Sequence, residues 1–156
     1  PPMSAAEQRE VFESILEDTL GADCGIEVAQ AIHDQFSSQI REHKESKSAE
    51  PLIMTAGEIG KVLLACGVTE ENVAAFQVQC GERFGVGAVL DPANLIDPGK
   101  YEVKTAQATI QVDPEFSYAV TTRVIDGRAY LLLPADDIQV NGLPIQVTNG
   151  QETETI

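Results

Sequence analysis

The sequence reads as an α+β protein, with a helical N-terminal half of about four helices packed on a small, largely antiparallel C-terminal sheet built on two β-hairpins. Three observations carry that reading. Two capping boxes, Ser4 with Glu7 and Thr55 with Glu58, each precede apolar residues at helical spacing. Beyond residue 100 the pattern changes to runs of β-branched, aromatic and aliphatic residues. Two of those runs are split by Asp126-Gly127 and Asn141-Gly142, dipeptides that favour two-residue hairpin turns. The parts assemble as one domain over residues 1–147, with a helical half at 4–85, a β half at 101–147 and a tail at 148–156.

Helix one is predicted from Ala5 to Leu20. Val11, Phe12, Ile15 and Leu16 form its apolar stripe, and Gly21 stops it. Its opposite face carries Glu7, Glu10, Glu13 and Glu17, which read as a solvated face rather than a cation site, because hard-metal sites converge their oxygen ligands from loops. Helix two is predicted from Ile26 to His43, with Ala29, Ile32, Phe36 and Ile40 inward. Arg41, His43 and Lys44 complement the negative end of its dipole. The polar stretch ESKSAEP links it to a shorter helix bearing Ile59, Val62, Leu63 and Cys66, which Gly67 terminates. Thr69 then caps a fourth helix with the stripe Val73, Phe76, Cys80 and Phe84.

The third and fourth helices have the outline of a helix-turn-helix, but the second of them begins Thr69-Glu70-Glu71, where a groove-binding helix needs cations. The segment GERFGVGAVL resembles a phosphate loop only superficially. Leu90 stands where the third glycine of a GxGxxG fingerprint belongs, no strand precedes it, and no Lys-Ser/Thr follows. Asp91-Pro92 and Asp97-Pro98-Gly99 read as a loop into the β half.

Tyr101, Val103 and Thr105 alternate, and Ala108, Ile110 and Val112 alternate in the opposite phase. The switch marks a bulge within one strand or a break between two. The central hairpin, YAVTTRVIDGRAYLLLP, has its register fixed by the two-residue turn. Ile125 faces Arg128, Val124 faces Ala129, Arg123 faces Tyr130, Thr122 faces Leu131 and Val120 faces Leu133. Val120, Thr122, Val124, Ala129, Leu131 and Leu133 share one apolar side that needs cover, and the helices are expected to supply it. In the second hairpin Val140 faces Leu143 and Ile138 faces Ile145, while Pro144 confines the last strand to an edge.

Composition narrows the function. A formal charge of −15 on 156 residues argues against nucleic acid and anionic membranes as partners, because phosphates require cations. The longest near-continuous apolar run, Val62 to Val68, is far too short to span a bilayer. Cys24, Cys66 and Cys80 are too widely spaced for a zinc site and read as reduced thiols on inner helical faces. The two histidines, His33 and His43, fall on one helix with no nucleophile motif, so no catalytic, cofactor or metal residue is assigned. His33 reads as a helix-boundary residue and His43 as a partner of the helix dipole.

One feature stands out. In a chain with only ten Lys and Arg, Arg123 and Arg128 share a hairpin face with Tyr130 beside them. Like charges this close on a sheet repel mildly, so an acidic group is expected opposite. A carboxylate from the helices satisfies that requirement. So does a small anion or an acidic peptide from a partner, held by the arginine forks.

The blocks FGVGAVLDPANLID, YEVKTAQATIQVDPEFS and, above all, TTRVIDGRAYLLLPADDIQVNG resemble the C-terminal part of an uncharacterised, mainly clostridial bacterial family described as a domain of unknown function. IHDQFSSQIREHKESK and ACGVTEENVAAF fit the same pattern, and TRVIDGR and QVNG are its most specific parts. The resemblance implies a cytoplasmic bacterial protein with a further N-terminal region, in keeping with the Pro1-Pro2-Met3 start. It carries no catalytic residue. The function expected is a non-enzymatic interaction module of a larger protein, whose partner is another protein or that N-terminal region. The alternative is an accessory or ligand-binding domain of an enzyme whose active site the N-terminal region completes.

Overall fold

A computed structural model describes residues 2–148 and shows an α+β chain, with helices in the first half and four small antiparallel strand pairs after them. The chain divides into two compact units, Pro1–Tyr118 and Ala119–Ile156.

In the first unit, α1 (Ala5–Leu20) has the expected limits and cap. The Ser4 hydroxyl accepts from the Glu7 amide at 3.1 Å, and the Glu7 carboxylate returns to Ser4. Gly21, at φ 53°, leads into a 3-10 turn at Gly21–Asp23. The second helix, α2 (Ile26–Ser46), runs three residues beyond the expected end. Lys44, Glu45 and Ser46 all tolerate helix, and the chain leaves it only at Lys47 in a left-handed conformation. His43 also donates from Nε2 to the Glu50 carbonyl at 2.7 Å, folding the linker back on the helix end.

Thr55 caps α3 (Ala56–Ala65) through the second capping box, and Thr69 caps α4 (Glu70–Phe84). Gly60 of α3 lies where an added Cβ would press on Val73 and displace the end of the Gln77 side chain, so these two helices approach closely there. A fifth helix, α5 (Pro92–Leu95), replaces part of the expected loop. Asp91 caps it by accepting from Ala93 at 2.9 Å, and Pro92 at the first helical position is preset for that role.

The helical core is built around three aromatic rings. Phe12 of α1 meets Phe36 of α2 at 5.9 Å between centroids and Phe76 of α4 edge-on at 6.1 Å, and all three are essentially inaccessible to solvent. Ile15, Leu20, Ile32, Ile59, Leu63, Val73 and Leu95 fill in around them. Ala29, expected inward, is exposed, because α2 turns Ile32 and Phe36 to the core and leaves Ala29 at its margin.

A short strand pair absent from the sequence reading, β1 (Met54–Thr55) with β2 (Val89–Leu90), ties the start of α3 to the segment after α4 and buries Met54 and Leu90. The phase switch at Ala106-Gln107 is a break. β3 (Tyr101–Lys104) and β4 (Thr109–Val112) pair antiparallel with Tyr101 opposite Val112 and Val103 opposite Ile110. Thr105 closes this turn by donating its amide to the Ala108 carbonyl at 2.9 Å and accepting on its hydroxyl from Gln107 and Ala108.

The second unit contains β5 (Thr121–Ile125) with β6 (Arg128–Leu132), and β7 (Gln139–Val140) with β8 (Leu143–Pro144). The register is the one read from the turns, from Ile125 opposite Arg128 to Thr122 opposite Leu131, and Val140 opposite Leu143. Asp126 and Gly127 have φ of 50° and 78°, and Asn141 and Gly142 have 50° and 83°, the paired positive values of a type I′ turn. The strands form four separate pairs rather than one sheet. Val120 is buried, but Val124 is 69% and Leu133 45% exposed, so the hairpin's apolar side is open at both positions. The tail expected at 148–156 falls, from residue 149, outside the described residues.

The cysteines also differ from expectation. Cys80 is buried and Cys66 partly so, but Cys24 follows the 3-10 turn and is exposed. Burial pushes the Cys80 thiol up to about 11. Among the described residues no helix is long and apolar enough to cross a membrane.

The N-terminus of α4 receives a carboxylate from the 3-10 turn. Asp23 Oδ2 accepts from the Thr69 amide at 3.1 Å and from Asn72 Nδ2 at 2.8 Å, and Asn72 also donates to the Leu20 carbonyl at 3.1 Å. These hydrogen bonds, the Thr69 amide first, hold the Asp23 carboxyl below its ordinary value. A depressed folded value means stability that is present above the unfolded carboxyl range, about pH 4, and lost as pH falls through the folded value. Asp23→Asn should therefore lower the urea midpoint near pH 7, and its gap from the parent should close as pH falls below the ordinary carboxyl range. A gap that stays constant with pH would refute the assignment. Phe12→Ala, which empties the centre of the aromatic trio, should cost about 3–5 kcal/mol in denaturant unfolding, with the loss read from the midpoint at unchanged slope.

Candidate functional site

The hairpin residues singled out in the sequence come together on one face of β5 and β6. Arg123 and Tyr130 are direct cross-strand partners, and the Arg128 guanidinium carbon stands 6.0 Å from the centre of the Tyr130 ring. That distance is the outer limit of a cation–π contact, so Tyr130 partly offsets the mutual repulsion of the two arginines. Arg123, Arg128 and Tyr130 are all exposed, and Arg128 forms no ion pair with a carboxylate among the described residues. The arrangement is an exposed pair of cations with an aromatic ring beside them.

The first unit holds a second arrangement that the sequence reading did not assemble. A cleft of about 620 Å³ opens between α1, α2 and the segment from Leu95 to Lys104. Its floor is apolar, with Phe12, Leu16, Ile32 and Leu95, and its rim carries Arg9, His33, Lys100 and Lys104. Three of the chain's ten Lys and Arg thus line one cleft of a strongly acidic protein.

Each polar group is held by a definable interaction. His33 Nε2 lies 3.0 Å from the Asp97 carbonyl and 2.9 Å from the Lys100 carbonyl. Carbonyls only accept, so the ring proton sits on Nε2 and is shared between them. His33 Nδ1 is buried without a hydrogen-bond partner and lies 3.8 Å from an Asp34 carboxylate oxygen. The ring also meets Tyr101 edge to face at 5.6 Å. Burial first, and then the charge of Asp34, push the Tyr101 phenol up, so it stays protonated. Glu102 is held by Lys100 at 3.4 Å, Lys104 at 3.9 Å and Gln111 at 3.4 Å. Burial works to raise its carboxyl, and the two lysines with these hydrogen bonds outweigh it and bring the carboxyl below the ordinary range.

Arg9 is the exception. Its Nη2 donates to the Ile96 carbonyl at 3.1 Å, while its buried Nε has no partner. Neither Arg9 nor His33 was selected from sequence, although a signal existed. Arg9 precedes Phe12 by three residues and Leu16 by seven, so a cation stands on the apolar stripe of α1. His33 likewise precedes Phe36 by three residues on α2.

A second cavity, of about 410 Å³, is wrapped by the GERFGVGAVL segment against the start of α3. No Lys or Arg lines it. Of these surfaces, the cleft alone combines an apolar floor with fixed polar groups at its rim. The His33 proton is tied between two backbone carbonyls, and the Tyr101 phenol is held protonated beside it.

His33→Ala should remove the tie between α2 and the 97–100 turn and lower stability by about 1–2 kcal/mol in urea unfolding. An unchanged midpoint would show that the two carbonyl contacts contribute nothing.

Searches of curated proteins and of solved structures gave no significant match. The family described as Domain of unknown function (DUF4317) matches residues 1–143, most of the chain. The protein is accordingly a member of the DUF4317 family, and every element from α1 to β8 begins within the matched span.

Proposed function

We propose that this chain is a non-enzymatic interaction module of a cytoplasmic bacterial protein, and that its hairpins dock on a protein partner. The observation that carries the reading is the exposure of the second unit's apolar side chains. Val124, Val140, Leu143 and Val147 are each more than half exposed, and Leu133 and Ile145 more than a third. Val120 is the one buried large hydrophobic residue among the described residues of this unit. Two-stranded hairpins are marginal by themselves and gain stability from a third strand or from a covering surface. A run of exposed valine and leucine beside open strand edges is the surface a partner covers. Arg123 and Arg128 add a preference for an acidic partner segment. The partner is another protein or a region preceding this domain in a longer chain.

A second reading, an accessory or ligand-binding domain of an enzyme completed by such a preceding region, is favoured by the cleft of the first unit.

The test is affinity capture from bacterial lysate with the chain, with Arg123→Ala/Arg128→Ala and with Val140→Asn/Leu143→Asn, identifying captured proteins by mass spectrometry. One protein enriched by the parent and reduced about tenfold by both variants, with unchanged far-ultraviolet circular dichroism, is the expected result. Equal capture by all three would sink the hairpin reading.

A further inference from the structure

We propose that the cleft between α1, α2 and residues 95–104 is a binding site for a small free monocarboxylate with an apolar body, its carboxylate on Arg9. The inference is independent of the hairpins and gives the ligand-binding reading a chemical class.

Of the three Lys and Arg that line the cleft, Lys100 and Lys104 share the Glu102 carboxylate. Arg9 has none. Among the described residues it forms no ion pair, and its one hydrogen bond is to the neutral Ile96 carbonyl. Its buried Nε–H has no acceptor at all. A guanidinium presents five N–H donors in a planar fork, and leaving buried ones unused is costly. Nε itself is closed to a ligand, so a carboxylate entering the cleft pairs end-on with the Nη donors of the guanidinium.

The cleft's own acids are otherwise engaged. Asp97 Oδ1 accepts from the Gly99 amide at 2.9 Å, and Glu102 is clasped by its two lysines and Gln111. Glu13, one turn along α1 from Arg9, is exposed and forms no ion pair with it. Arg9 is therefore the cleft's Lys or Arg without an ion-paired carboxylate among the described residues.

The floor selects the rest of the ligand. Phe12, Leu16, Ile32 and Leu95 offer apolar surface that a charged solute such as phosphate would leave unused. The His33–Tyr101 pair closes one side, its geometry fixed by two backbone carbonyls. A volume of about 620 Å³ suits a body of a medium-chain acyl or aryl group. One hydrogen bond already ties Arg9 to the Ile96 carbonyl, which lowers the ordering cost of binding.

The test uses octanoate as probe against the isotope-labelled chain, followed by amide chemical shifts, with octanamide as its neutral counterpart. Octanoate at about 1 mM should shift amides of residues 9–16, 32–33 and 95–104 in a saturable way. Octanamide should bind about tenfold more weakly or not at all, since it forfeits the charge-assisted pair. Arg9→Gln should weaken octanoate by about tenfold while leaving octanamide unchanged. Leu16→Asn should weaken both probes, because it removes apolar floor. Lys104→Ala, on an exposed rim residue, keeps the test open if Arg9→Gln proves unstable, and it should weaken octanoate alone, by a few-fold. No saturable shift in the cleft, shifts confined to the exposed hairpins, or equal binding of acid and amide would each overturn the proposal. Loss of lysate partners on hairpin substitution does not bear on it, so the two readings fail separately.

Discussion

The contact on which the first unit depends is the meeting of Phe12 with Phe36 and Phe76. Three helices far apart in sequence each contribute one ring, and Phe12 touches both others. Aromatic pairs combine large apolar burial with a preferred geometry, so they set how α1, α2 and α4 approach as well as whether they do. The neighbouring details follow from that approach. Gly60 lets α3 come close to α4 at Val73 and Gln77, and Asp23 completes the N-terminus of α4 from the turn after α1.

The same packing makes the cleft. With Phe12 committed to the core, the residues one turn to either side of it on α1, Arg9 and Leu16, fall at the core's margin. On α2 His33 falls at that margin beside the buried Ile32, and α5 with β3 supplies the third wall. The site is thus a consequence of where the helical core ends. Arg9 and His33 are tied to backbone carbonyls of the 96–100 segment, whereas Lys100, Glu102 and Lys104 hold one another through their side chains.

The second unit obeys a different logic. Its order comes from turn chemistry, two dipeptides with positive φ at both central positions, and hardly at all from buried apolar area. Local rules of that kind fix register without requiring a core. They leave valine, leucine and tyrosine side chains on the surface, which is why recognition is assigned to these strands.

What the sequence determined by itself was everything governed by neighbours within a few residues. Both capping boxes, the limits of α1, the glycine that ends it and the register of both hairpins were legible, because hydrogen-bond geometry and φ preferences act locally. The tertiary structure alone decided what depends on distant segments meeting. The pairing of Met54–Thr55 with Val89–Leu90 has no local signature, and neither does the closure of β3 on β4 through Ala106-Gln107, which lacks a positive-φ turn pair. The candidate cleft belongs to this second class. A lone arginine and a lone histidine on apolar stripes look like ordinary boundary residues until α1, α2 and residues 95–104 are brought together. Only then does it emerge that Lys100 and Lys104 have a carboxylate between them and that Arg9 has none.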